Sequence, residues 1–169
     1  MTDADSISVL AEALVGELIF AGKSMSTAES CTGGWIAKSL TDIGGSSQCF
    51  GYGVVSYSND AKESMLDVAT TTLNEHGAVS EAVVKEMAKG VLNLSGADFS
   101  VAVSGVAGPD GGSDEKPVGT VWIGWAMRTG RKVSLRAERH QLQGDRAAIR
   151  SGTVILALQG IRELLKSGG

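Results

Sequence analysis

Histidine is nearly absent from this chain: His76 and His140 are the only two among 169 residues. A serine nucleophile activated by histidine would have to draw on one of them, and neither stands in a clear serine-histidine-acid arrangement in the sequence, so both read as surface or packing residues. Cysteine is equally scarce. Cys31 and Cys49 are the only two, and with histidines so scattered they make neither a disulfide framework nor a metal framework, so both read as free thiols. The only two prolines, Pro109 and Pro117, fall in one short segment, and no Pro-rich, Ser-rich or charge-rich linker divides the chain. Positive charge is in deficit: 15 Lys and Arg against 19 Asp and Glu leave a formal net charge of -4, which argues against broad binding to nucleic acid. No run approaches the length of a membrane span, and the N-terminus lacks the basic start, apolar run and cleavage site of a signal peptide, so the expectation is a cytoplasmic protein with no membrane partner.

What is present is an ordinary globular composition, 43% hydrophobic and 20% charged, of a length that suits one domain over 1–169. Ile7, Leu10, Leu14 and Leu18 recur at helical spacing until Gly22. Residues 25–30 then read as a buried strand and 32–41 as a helix, which puts Ser30 at a strand-to-helix turn. A second strand over 51–57 leads into a short helix capped by Ser58 and carrying Lys62. Ser80 opens another helix that ends at Gly96, and 98–104 is a continuous apolar run typical of a strand covered on both faces. Strands over 120–128 and 132–140, joined at Thr129-Gly130, form a hairpin, and Asp145 caps a last helix. Alternating helices and strands with a late hairpin predict a three-layer α/β/α domain with a mixed sheet.

Chemistry concentrates at Ser30-Cys31-Thr32-Gly33-Gly34, followed by Tyr57, Asn59 and Lys62. A serine hydroxyl needs an adjacent base, and with histidine so scarce lysine is the natural replacement. Gly33 and Gly34 weaken a first helical turn, a cost that makes sense where a ligand approaches the backbone closely. Cys31 competes with Ser30 for the nucleophile role, because a thiol near a helix N-terminus is acidified, but it reads more readily as a small buried hydrophobe, since neighbouring side chains at a turn point different ways and Ser30 ends the strand. Glu29 is either a strand-end charge or a partner for Lys62. The segment 105–119, rich in glycine and containing Gly105 and Gly108, is the one long irregular stretch, and such loops inside a compact domain are usually functional. Gly22-Lys23-Ser24 is not a phosphate-binding loop: Glu17 stands where glycine is needed, and the segment precedes a strand.

Several of these segments together resemble the CinA C-terminal domain family, and within it the stand-alone nicotinamide mononucleotide deamidases. The carrying stretches are Thr27-Ala28-Glu29-Ser30-Cys31-Thr32-Gly33-Gly34, Tyr57-Ser58-Asn59-Asp60-Ala61-Lys62, His76-Gly77-Ala78-Val79-Ser80, the tract from Ser104 through Gly105 and Gly108 to Gly112, Lys116-Pro117-Val118-Gly119-Thr120-Val121, and Gly144-Asp145-Arg146. The resemblance implies Ser30 as nucleophile, Lys62 as base and Tyr57 as the group that relays or orients the proton. It implies a pyridine nucleotide as substrate, whose carboxamide becomes a carboxylate with release of ammonia, and neither metal nor other cofactor. Thr32, Gly33, Gly34, Asn59, Ser104, Gly105, Gly108 and Arg146 are the expected substrate-binding residues, with Arg146 as a charged clamp. A homodimer and a sheet of about five strands are implied as well. The chain departs from the family pattern at Ser104, where threonine is frequent, and at Leu142-Gln143. Two other readings remain open at this point: a noncatalytic nucleotide-binding module, and a cysteine-dependent amidase acting on another small carboxamide.

Overall fold

The computed structural model describes residues 1–168. Five strands, β1 (Met25–Glu29), β2 (Phe50–Val55), β3 (Phe99–Gly105), β4 (Thr120–Thr129) and β5 (Lys132–Gln141), form one sheet in the order β2-β1-β3-β4-β5. The first three run parallel, and β4 and β5 are antiparallel to their neighbours. Among the described residues six α-helices surround it, α1 (Asp3–Ala21), α2 (Trp35–Thr41), α3 (Asn59–Leu66), α4 (Thr70–His76), α5 (Glu81–Ser95) and α6 (Arg146–Gly168), with a short 3-10 turn at Ser46–Gln48 before β2. This is the three-layer architecture with a mixed sheet and late hairpin that the residue pattern predicts.

Strand alternation separates two cores. Val101 and Val103 of β3 and Val121, Ile123 and Trp125 of β4 pack with α1, α2 and α6. Ala28, Val54, Ala102 and Ala126 face the other way, onto α3 and α5 through Leu66, Val84, Met87 and Val91. Buried on both sides, β3 has no need of polar alternation, which is why it reads as a continuous apolar run. Two glycines set how closely α5 lies between its neighbours: a Cβ at Gly124 would stand 2.6 Å from the Val84 carbonyl oxygen, and one at Gly90 would collide with the carbonyl of Leu66.

Three local differences from the sequence reading have physical causes. Helix α2 begins at Trp35, because Gly33 and Gly34 hold φ of 61° and 100°, outside the right-handed helical region. Strand β2 ends at Val55; the Ser56 amide still donates to the Glu29 carbonyl of β1 at 2.9 Å, after which the chain turns to the Ser58 cap. Helix α4 was invisible in sequence. Its start, Thr70-Thr71-Thr72, is β-branched and Ala69 offers no capping side chain; instead Glu86 of α5 accepts from the Ala69 amide at 3.0 Å and the Thr72 hydroxyl at 2.7 Å.

Candidate active site

Ser30 stands immediately beyond the carboxyl end of β1, at the end of the sheet where α/β folds place their ligands. Lys62, on the inner face of α3, is 1% exposed despite its charge-bearing side chain. Its Nζ lies 3.0 Å from Ser30 Oγ, 2.9 Å from the Ser56 carbonyl oxygen and 3.3 Å from the Tyr57 carbonyl oxygen. Burial lowers the Lys62 pKa, with a smaller opposing effect from the nearby Cys31. The three contacts have a chemical consequence. A neutral amine has two N–H donors and one lone pair; once the two carbonyls take the donors, the lone pair is left for the Ser30 hydroxyl. Ser56 adds a buried hydroxyl beside this group that has no hydrogen-bond partner among the described residues.

The turn that carries Ser30 is held from below and from the side. Glu29 is fully buried and accepts from the Thr32 hydroxyl at 2.6 Å, the Ile36 amide at 2.8 Å and the Ala37 amide at 3.0 Å. It is therefore neither a surface charge nor a partner of Lys62, but the carboxyl that accepts from the first amides of α2. Burial raises its pKa against the opposing effect of those hydrogen bonds. From α6, Arg150 donates through Nε to the Cys31 carbonyl and through Nη2 to the Thr32 carbonyl, both at 3.0 Å, while its guanidinium lies over the Trp35 ring. The Gly33 amide donates to the Ser30 carbonyl, and the Trp35 amide to that of Thr32. Among the described residues, the amides of Cys31 and Thr32 have no backbone acceptor. Cys31 itself is buried in the core on the α1, α2 and α6 side of the sheet, and burial pushes its thiol up to about 11.

The other expected site residues divide. Tyr57 is 62% exposed, and its phenol meets Arg146 Nη2 at 3.3 Å instead of standing between Lys62 and Ser30. Arg146 also donates through Nη1 to the Gly108 carbonyl oxygen at 2.7 Å, so Tyr57, Arg146 and the 105–119 loop form one cluster. Ser104 ends the buried face of β3 beside Ser30, and Gly105 follows it against Val121. Thr32 is buried with its hydroxyl on Glu29, and Asn59 is exposed in the first turn of α3. Among the described residues no three His, Cys, Asp or Glu side chains are grouped to hold a metal ion.

Residues 7–165 match the CinA C-terminal domain. The chain belongs to that family. A curated relative named nicotinamide-nucleotide amidohydrolase PncC, from Escherichia coli K12, is 50% identical over 160 residues, 94% of each chain. The protein of the same name from Enterobacter agglomerans is 55% identical over 141 residues, 83% of this chain and 84% of the relative. Among solved structures, a CinA superfamily protein from Klebsiella pneumoniae superposes with a TM-score of 0.88 at 40% identity, covering 95% of this chain and 98% of that one. A competence/damage inducible protein from Agrobacterium tumefaciens gives the same TM-score at 45% identity, covering 94% and 95%.

Within this CinA C-terminal domain, sequence reasoning missed Arg150 and Ser56 and left Glu29 undecided. Arg150 lies 120 positions from Ser30 and carries no motif of its own. A helical pattern in α6 identifies an inward face but not which side chain reaches a turn at the far end of β1. For Glu29 a signal did exist: an acidic residue shortly before a helix start is where an N-terminal acceptor belongs.

Proposed function

We propose that this protein is a nicotinamide-nucleotide amidase that hydrolyses the carboxamide of nicotinamide mononucleotide, with Ser30 as nucleophile and Lys62 as base. The observation that carries the reading is the 3.0 Å contact between Lys62 Nζ and Ser30 Oγ inside a buried site where the amine meets only that hydroxyl and two carbonyls. The names of the relatives, both amidohydrolases of nicotinamide nucleotides, supply the substrate class.

In the first step the Ser30 hydroxyl proton passes to the Lys62 lone pair as Oγ attacks the carboxamide carbon. The oxyanion of the tetrahedral intermediate takes hydrogen bonds from the amides of Cys31 and Thr32, each worth about 3 kcal/mol when well aimed. Lys62 then returns its proton to the amide nitrogen, the C–N bond breaks, and ammonia leaves an ester on Ser30. Water attacks that ester with Lys62 again accepting the proton, and the amine finally hands it back to Oγ, releasing nicotinic acid mononucleotide. Tyr57 is not needed as a relay because the lysine reaches the serine directly. Its phenol, with Arg146 and the Gly108 loop, instead borders the nucleotide, Arg146 supplying positive charge toward the phosphate. A homodimer working in the cytoplasm belongs to the same reading; light scattering and cell fractionation test those two points.

A thiol with its pKa at about 11 is protonated at neutral pH, which weighs against the cysteine-dependent alternative. The deciding experiment is incubation of the purified protein with nicotinamide mononucleotide and measurement of ammonia. Release by the wild type that disappears in Ser30→Ala supports the proposal. Release that persists in that variant removes Ser30 from the nucleophile role, and no release by the wild type leaves the noncatalytic module as the better reading.

A further inference from the structure

A cavity of about 540 Å3 is lined by neither Ser30 nor Lys62. It opens on the α5 side of the sheet, between the start of α5 and the 105–119 loop, with Trp122, Arg139 and Lys116 in its wall. Strand register relates it to the nucleophile. Glu29 pairs with Val103, Ser104 with Trp122 and Trp122 with Arg139, so the row that starts at Ser30 runs through Ser104 and Trp122 to Arg139 on one face. Trp122 is two strand spacings from Ser30, about 10 Å, and Arg139 is one strand further.

We propose that this cavity is a second binding site, for a nucleoside 5′-phosphate, with the base against Trp122 and the phosphate on Arg139 and Lys116. Three observations support that ligand class. The volume is that of a small-ligand site and accommodates a mononucleotide. The Trp122 indole is partly exposed at the cavity wall, and an aromatic face takes a nucleobase by stacking. The two cations are not neutralised: Lys116 Nζ contacts the His76 carbonyl at 2.7 Å and Arg139 Nη2 the Glu115 carbonyl at 2.9 Å, and neither pairs with a carboxylate among the described residues. Of the bordering acids, Glu81 is held by Lys85 at 2.6 Å, Glu75 lies 3.6 Å from His76, and the exposed Glu115 faces solvent. The occupant has two sources with the same chemistry: the far half of a dinucleotide whose pyridine end lies at Ser30, or a free mononucleotide. The site itself does not depend on the amidase reading, whereas the dinucleotide source does.

Calorimetric titration of the whole protein with AMP tests the site without using ammonia release. Saturable binding in the wild type that weakens at least tenfold in Arg139→Gln and in Lys116→Gln supports it, with Trp122→Phe, which keeps an aromatic face, closer to wild type than Trp122→Ala. Titrations of nicotinamide mononucleotide and NAD into Ser30→Ala separate the sources. AMP binding that leaves the mononucleotide's affinity unchanged while NAD competes with both assigns the dinucleotide; AMP and the mononucleotide binding together with no effect of NAD assigns the free nucleotide. Absence of AMP binding at millimolar concentration, or binding indifferent to both cation variants, overturns the proposal. So does AMP that simply displaces the mononucleotide and is insensitive to Arg139→Gln, since it then occupies the Ser30 site.

Discussion

At Ser30 and Lys62 the chemistry depends on one proton. A lysine amine is a base only while neutral, and burial supplies the bias by lowering its pKa from the ordinary 10.5. The amidase rate should therefore fall as pH drops through the lowered Lys62 pKa, and the acid limb of kcat/KM should disappear in the residual activity of Lys62→Met. Stability carries the same sign. Between the folded and unfolded pKa values the unfolded chain binds the extra proton, so the wild type should gain stability relative to Lys62→Met as pH rises toward 10.5, by up to about 1.4 kcal/mol per unit. Urea midpoints of both proteins across that range check it, and a flat difference sinks the idea of a neutral folded-state lysine. The neighbouring thiol gives a contrasting expectation. Cys31→Ala should keep turnover within a few-fold while losing about 1 to 2 kcal/mol of stability, because the side chain fills core space and its thiol, pushed up to about 11 by burial, stays protonated.

Elements hold these residues in place through contacts that no single segment specifies. Helix α3 delivers Lys62, and its approach to α5 is set by the absence of a side chain at Gly90 beneath the Leu66 carbonyl. Gly90→Ala should therefore push α3 outward. We expect a loss of roughly 2 kcal/mol or more in stability and, in the protein that still folds, a drop in kcat out of proportion to KM. Helix α2 and the serine turn share Glu29. Glu29→Ala strips the acceptor from a buried amide, a half-buried amide and a buried hydroxyl and should cost about 3 kcal/mol in chemical denaturation. Such shared dependence explains what could be read from sequence at this scale. Ser58, Ser80 and Asp145 announce their helices because each capping oxygen lies within its own segment. Helix α4 gave no sign, because its cap is supplied by Glu86 from another helix.

Across the whole molecule, α6 closes the sheet against α1 and the fold against itself. Trp125 of β4 lies over Gly160, donates its indole N–H to the Ala157 carbonyl at 3.0 Å, and is covered on its outer side by Arg136. Arg162 donates through Nε and Nη2 to the two carboxylate oxygens of Glu17 in α1 and holds that carboxyl below its usual range. Gly160→Val should destabilise by several kcal/mol, since the indole has no room to retreat, whereas Arg162→Ala at a half-exposed pair should cost only about 1 kcal/mol; thermal melts of the two variants rank them. The same helix ends its chain of contacts at Arg150 on the serine turn, so the stability of α6 and the geometry of the nucleophile are linked.

The amino-acid sequence by itself determined the alternation of elements, the strand-to-helix turn at Ser30, the hairpin and the candidate pair of serine and lysine. These follow from spacing, capping and backbone preference, which act over a few residues. Only the tertiary structure decided that Lys62 meets Ser30 without an intermediary, that Tyr57 turns to Arg146 and that Arg150 holds the serine turn. Those outcomes depend on strand order and helix packing, which bring together groups 32 to 120 positions apart, and on the burial that this packing imposes on their charges.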